Sequence, residues 1–174
     1  IVRCGNIPSD MTAQSNIKNP VYMRRLRRYE AKIFHAATAI IVASPAMRDY
    51  VTRTYSVLES LIHVVSNHVL TDLFRPKVAS SLPNRLCFVG RLEKQKNVET
   101  LVEACSGTSL NLVLIGNGSL RKDIKAVAMN SGVNVTFMGN LPHAELPYQL
   151  CKSHIYVHAT HYEGSPPKAL LEAM

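Results

Sequence analysis

The sequence predicts an α/β protein whose C-terminal half is an open, doubly wound parallel sheet of Rossmann-like type. Short continuous apolar runs recur at 85–89, 110–115, 133–138 and 155–158, the pattern of strands covered on both faces. Helix-period segments at 98–105, 120–129 and 144–151 separate them with short loops, and strict alternation of this kind specifies parallel strands with helices on both sides. The chain has 174 residues, 47% of them hydrophobic, enough for a substantial core. No apolar run approaches the ~20 residues that a membrane-spanning helix needs.

Taken in order, residues 1–18 are polar and irregular, with turn formers at Gly5, Asn6, Pro8, Ser9 and Asp10. A helix is predicted over 20–37, with Tyr22, Leu26, Tyr29 and Ile33 at i, i+4, i+7 and i+11 forming its apolar face. Arg24, Arg25, Arg27, Arg28 and Lys32 occupy the remainder. They read either as a solvated face whose long stems cover their neighbours or as a contact with an anionic membrane surface through residues 24–32. Residues 38–43 form a short buried strand, and Ser44-Pro45 opens the next helix with an N-cap serine and a first-turn proline. Residues 61–65 repeat the strand pattern, completing a parallel strand–helix–strand unit. After Ser66-Asn67 the chain is irregular through Phe74-Arg75-Pro76, and residues 77–84 read as a linker. A last helix is expected from about Pro167.

Net charge is +8, compatible with nucleic acid, an anionic membrane or phosphorylated substrates. There is no groove-reading module and no aromatic stacking signature, so nucleic acid is not expected. Cys4, Cys87, Cys105 and Cys151 are scattered, without a Cys-x-x-Cys pair, which suits a reducing cytoplasm better than a disulfide framework. The first residue is not Met, and the chain stops within an apolar helical pattern that has no C-cap. The sequence therefore reads as a piece of a longer chain.

In open parallel sheets, ligands bind outside the carboxyl ends of the strands. The loops at those ends are 90–97, 116–119, 139–143 and 159–167. The first, Gly90 to Asn97, carries Arg91 and Lys96, a planar fork of donors and a compact charge that together suit a diphosphate. Taken alone it reads equally as a solubilising loop. Gly116-Asn117-Gly118 lacks the third glycine of a dinucleotide fingerprint and the lysine of a P-loop, so it reads first as a tight turn and second as a close backbone approach to ligand. The third loop offers main-chain groups and Leu141 to a flat base. The fourth holds Glu163, with Glu172 in the helix beyond; ionised carboxylates are strong acceptors for sugar hydroxyls. A carboxylate in the first turns of a helix is also favoured by the macrodipole, which is the structural reading of Glu172.

Cys151, His154, His158 and His161 superficially have the spacing of a zinc site. Residues four apart on a strand, however, are separated by about 13 Å at ~3.3 Å per residue. No metal ligand set is expected.

Four of these segments occur together and in order: 88–96, 114–118, 135–139 and 163–174. In combination they resemble the retaining glycosyltransferases of the two-domain GT-B fold, glycosyltransferase family 4 (group 1). The resemblance is densest over 85–174 and extends upstream, where 62–67 through Phe74-Arg75-Pro76 looks like the family's crossover between domains. It implies that residues 1–76 are the end of an N-terminal, acceptor-side Rossmann-like domain, 77–84 a linker, and 85–174 an incomplete donor domain. It implies a hexosyl transfer from a nucleoside diphosphate sugar, without a metal or other cofactor, to a glycan or lipid-linked acceptor in polysaccharide, glycolipid or glycoconjugate synthesis. The cysteine pattern points to the cytoplasm, the membrane reading of residues 24–32 would put the protein peripherally at the inner face of the membrane, and the piece by itself is expected to be inactive.

The roles it implies are Arg91 and Lys96 on the diphosphate, Glu172 on the ribose, and Glu163 near the donor sugar. Gly90, Gly116, Leu141 and the amides around Gly164 and Ser165 complete the donor site. Catalytic roles fall to Arg91, Lys96 and Glu163. Two departures stand out. The family's glutamates are usually eight positions apart, and Glu163 and Glu172 are nine apart. The family's crossover commonly reads Asn-Gly-Val-Asp, and here it is Asn67-His68-Val69-Leu70. Two alternatives accompany this reading: a sugar-nucleotide epimerase of the same fold, and a non-catalytic basic module binding membrane or nucleic acid.

Overall fold

The computed structural model describes residues 1–5, 7–8, 19–76, 81–161, 163 and 165–174. The chain divides into two compact units: Ile1–His68 with Tyr162–Pro167, and Val69–His161 with Lys168–Met174. Each has a parallel sheet, so the predicted α/β class holds.

In the first unit, strands β1 (Val2–Cys4), β2 (Ile40–Val42) and β3 (Ile62–Val64) lie parallel in that spatial order. Helix α1 (Pro20–Ala36) starts where Asn19 caps the amides of Val21 and Tyr22 through its side chain. Helix α2 (Pro45–Tyr55) is capped by Ser44, whose hydroxyl accepts from the Met47 amide at 3.2 Å. The core joins Phe34, Ile40, Val42, Met47, Val51, Tyr55 and Ile62.

The expected apolar face of α1 is not the one that packs. Tyr22, Tyr29 and Ile33 are 51%, 66% and 51% exposed, while Glu30 and Phe34 are buried. The helix is rotated because Glu30 accepts a hydrogen bond from the Tyr55 hydroxyl and Phe34 packs on the Tyr55 ring, with centroids 5.0 Å apart. A polar residue thus holds a core position that hydrophobicity alone assigns to solvent.

The second unit has a four-stranded sheet in the order β6-β5-β4-β7, all pairs parallel. Its strands are β4 (Leu82–Val89), β5 (Asn111–Ile115), β6 (Asn134–Gly139) and β7 (Ser153–Tyr156). Strand β4 begins three residues earlier than the sequence suggests, so Leu82–Asn84 of the expected linker lie in the sheet, with the pairing to β7 shifting between Leu82 and Leu86. Residues 77–80 of that linker lie outside the described residues. Strand β7 lies two residues upstream of the expected 155–158, because Ser153 pairs with Leu82.

Successive side chains feed opposite faces of this sheet. Leu86, Phe88, Leu112 and Leu114 pack beneath helices α3 (Val98–Ala104) and α4 (Arg121–Asn130), with Leu101, Val102, Ile124 and Ala128. Cys87, Val113 and Ile115 face the other way, onto Leu146 and Leu150 of helix α5 (Leu146–Lys152) and onto Phe74. Each fully buried large side chain contributes about 1.5–3 kcal/mol. Burial pushes the Cys87 thiol up to about 11, so it behaves as a small hydrophobe. The chain closes in helix α6 (Lys168–Ala173).

The loops at the carboxyl edge are laced by main chain. Gly90 N donates to Ile115 O at 2.9 Å, Leu92 N to Asn117 O at 3.0 Å, and Gly116 N to Gly139 O at 2.7 Å. At Gly118 an added Cβ would lie 2.6 Å from the carbonyl carbon of Leu92 and 2.7 Å from its nitrogen. We therefore expect Gly118→Ala to destabilise the full-length protein by about 1–3 kcal/mol through overpacking. Gly5→Ala, which meets nothing within 4 Å, should leave the thermal midpoint unchanged. Equal midpoints for the two variants would refute this account.

Candidate functional site

The sheet order places a topological switch between β4 and β7, because the chain moves outward from β4 through β5 to β6 and then returns to its other side. The segment that follows β7 is tied to β4 and to the loop after it: Val157 N donates to Cys87 O at 2.9 Å and His161 N to Gln95 O at 3.1 Å. Parallel α/β sheets hold ligands at such a crevice.

A cavity of about 290 Å³ opens at the carboxyl ends of β4, β5 and β6. Arg91, Asn117 and Asn140 give it polar groups, and Val89, Ile115, Leu141 and Leu146 give it apolar walls. Gly90 and Gly116 complete it. Of the residues singled out in the sequence, the structure thus brings Gly90, Arg91, Gly116 and Leu141 into one cavity. Lys96 and Glu172 do not line it.

The structure gives Gly116 a different first duty from ligand approach. Its φ is +130°, and a Cβ there would lie 2.9 Å from the Gly90 carbonyl carbon. The glycine is required by the lacing of two loops. Glu93 reinforces that lacing: its carboxylate accepts the Ser119 amide at 3.0 Å and the Ser119 hydroxyl at 2.8 Å. These bonds, the backbone one foremost, hold the Glu93 carboxyl below the usual range. Arg91 is therefore presented from a loop whose backbone is anchored on both sides. Lys96 ends the short 3-10 turn Lys94–Lys96 of the same loop, where its amide donates to Glu93 O at 2.8 Å.

Glu172 is buried in α6, its side chain 4% exposed. Its Oε1 meets His143 Nε2 at 2.7 Å and Lys168 Nζ at 3.5 Å. His143 in turn packs against the Phe74 ring, with centroids 5.0 Å apart. Neither His143 nor Phe74 was singled out by sequence reasoning as a site residue. His143 does sit in the loop after β6, and Phe74 in the segment preceding 77–84.

Glu163 and Ser165 belong to the first unit, and Gly164 lies outside the described residues. Within that unit Asn67 donates to Ser165 Oγ at 3.2 Å and to the Pro166 carbonyl at 3.0 Å. The asparagine of the crossover thus holds the loop that carries Ser165, a role for which its sequence position gave no signal. Among the described residues no group of three or more His, Cys, Asp or Glu side chains is arranged to hold a metal ion.

Comparison with known proteins bears on this arrangement. A D-rhamnosyltransferase of Pseudomonas aeruginosa is 26% identical over 165 residues, covering 90% of this chain and 43% of the relative. The chain spans less than half the length of the curated relatives that it matches, 40% and 43% for two of them. Among solved structures, sucrose-phosphate synthase from Thermosynechococcus elongatus superposes with a TM-score of 0.84 at 20% identity, over 99% of this chain and 47% of that one. The Anabaena protein HepE, in complex with UDP-glucose, gives 0.78 at 15% identity, over 99% and 50%. The likeness in structure shows a shared fold. The family description "Glycosyl transferases group 1" matches residues 71–174, which take in Arg91, the cavity and Glu172, and the chain belongs to that family.

Proposed function

We propose that the full protein transfers a hexose-type sugar from a nucleoside diphosphate sugar to a glycan or lipid-linked acceptor, with the anomeric configuration retained. The observation that carries this reading is the cavity at the carboxyl edge of β4, β5 and β6, where one guanidinium, from Arg91, stands beside apolar walls that include Leu141. A nucleotide has the matching character: a flat base for the apolar side and a charged diphosphate for the cation. Arg91 and Lys96 hold the diphosphate, Gly90 and Gly116 bring main chain close to it, and Glu172 takes the ribose hydroxyls. Glu163, with the backbone at Gly164 and Ser165, faces the donor sugar.

On this reading, catalysis comes from positioning and from stabilising the charge that develops on the departing diphosphate. No cofactor is called for. On the same reading the N-terminal unit contributes the acceptor side, and the unit built on β4 to β7, which begins at Val69, the donor side. The similar HepE structure holds UDP-glucose, which supports a nucleotide sugar as donor here.

A second reading concerns where the enzyme works. Helix α1 presents Tyr22, Tyr29 and Ile33 to solvent, with exposed Arg24, Arg25, Arg28 and Lys32 on the adjoining arc. Among the described residues no carboxylate forms an ion pair with Arg24, Arg25, Arg27 or Arg28. An aromatic and aliphatic stripe beside unneutralised arginines matches the interface of an anionic leaflet. We place the protein in the cytoplasm, peripheral at the inner face of the membrane, through residues 24–32.

Titration of UDP, GDP and ADP into the full-length protein should find at least one that binds. Arg91→Ala should weaken it roughly 10–100-fold, the loss of a charge-assisted pair of hydrogen bonds. Wild-type affinity in that variant would remove Arg91 from the diphosphate. Proton NMR of the product should show the anomeric configuration of the donor, and inversion would reject retention. For the membrane reading, co-sedimentation with phosphatidylcholine vesicles containing phosphatidylglycerol should fall at least tenfold when Arg24, Arg25, Arg27 and Arg28 are replaced by Gln, at about 1 kcal/mol per basic residue. Undiminished binding would dismiss residues 24–32 as the contact.

A further inference from the structure

The ribose role proposed for Glu172 leaves a physical question: what holds a buried carboxylate in one orientation before a nucleotide arrives. A carboxylate with 4% exposure has lost most of its water and needs hydrogen-bond donors. The structure supplies them on one side only. Oε1 meets His143 Nε2 at 2.7 Å and Lys168 Nζ at 3.5 Å, whereas Oε2 accepts nothing among the described residues. The His143 contact has the length of a charge-assisted hydrogen bond; the lysine contact is longer and comes from a half-exposed side chain on the preceding turn of the same helix.

The imidazole is itself held. His143 opens the 3-10 turn His143–Glu145 after the loop that carries Leu141, and its ring lies against Phe74 at 5.0 Å between centroids. Phe74 packs against the buried cluster of Cys87, Val113, Ile115 and Leu146, of which Ile115 and Leu146 are also apolar walls of the cavity. One continuous contact therefore runs from the cavity wall through Phe74 and His143 to the Glu172 carboxylate.

We propose that His143 is a positioning residue for nucleotide binding. Its Nε2–H engages Oε1 of Glu172 and turns Oε2 toward the hydroxyls of the ribose, with Phe74 fixing the plane of the imidazole. This inference rests on the reading of Glu172 as the ribose acceptor. It assigns to the loop after β6 a second duty besides flanking the base: presenting the acceptor on α6. The effect is on binding and not on chemistry, since His143 touches neither the sugar nor the diphosphate in this scheme.

The test uses the full-length protein and whichever of UDP, GDP or ADP binds it most tightly. His143→Ala should raise the dissociation constant roughly tenfold or more, the loss of one hydrogen bond to a charged group. His143→Gln, whose amide nitrogen can occupy nearly the position of Nε2, should return it to within about twofold of wild type. The donor KM should follow the dissociation constant while kcat stays nearly constant, as expected when ground-state and transition-state binding are lost together. In a Glu172→Ala background, His143→Ala should have no further effect, because the pair acts as one unit.

The outcomes separate the two ideas. If Glu172→Ala leaves nucleotide affinity intact, or no nucleotide binds, the ribose reading fails and this inference falls with it. If Glu172→Ala weakens binding but His143→Ala leaves it unchanged or tightens it, the inference alone is overturned. Equal weakening by Ala and Gln, or additive losses in the double variant, would reduce His143 to a packing residue and overturn it as well.

Discussion

The position of the candidate site depends on main-chain contact between loops at the carboxyl edge of the second sheet. The loop after β4 lies so close to the loop after β5 that Gly90 and Leu92 donate into it, and Gly116 donates onward to the end of β6. Only glycine fits at 116 and 118, because a Cβ at either would strike backbone that cannot swing aside. With Glu93 bound across to Ser119, the loop that carries Arg91 is anchored before any ligand is present. Such preorganisation reduces the ordering cost of binding an anion.

That constraint reaches the apolar side of the site as well. The strands are covered on both faces, so the residues that alternate along β4 and β5 supply two separate cores from one short stretch of sequence. One of them, built on Cys87, Val113 and Ile115, extends through Leu141 and Leu146 to the cavity and through Phe74 to His143. A change of packing there is felt by the cavity wall and by the neighbour of Glu172 together. The two glutamates singled out in the sequence consequently have different standing. Glu172 has a defined environment in the second unit, while Glu163 belongs to the first unit, beside a residue outside the described set.

The first unit shows how a core can contradict its own hydrophobic pattern. Tyr22, Tyr29 and Ile33 repeat with helical period, yet α1 turns Glu30 and Phe34 inward. The energetic reason is a satisfied polar group: the Tyr55 hydroxyl donates to the Glu30 carboxylate, which makes its burial tolerable. The displaced stripe then lies in solvent alongside a row of arginines, a combination that periodicity alone would interpret as core and coat.

How much was legible divides along the same physical line. Strand runs, the N-cap at Ser44 and the alternation of elements are local properties, written in side-chain period and capping chemistry, and they sufficed for the α/β class and for the four strand-end loops. Arg91 and Leu141 were findable because a basic residue and an apolar one stand in loops that a parallel sheet must place at its carboxyl edge. Element ends were less legible: β4 begins at Leu82 and β7 at Ser153 because the two strands pair with each other, a relation between residues far apart in sequence. The same holds for the partner of Glu172, the inward turn of Glu30 and the bond from Asn67 to Ser165. Each joins residues whose proximity is created by folding, so no spacing or propensity along the chain encodes it. The sequence by itself determined which elements form and which loops carry charge; the tertiary structure decided which carboxylate is buried, what holds it, and which helix face is left to solvent.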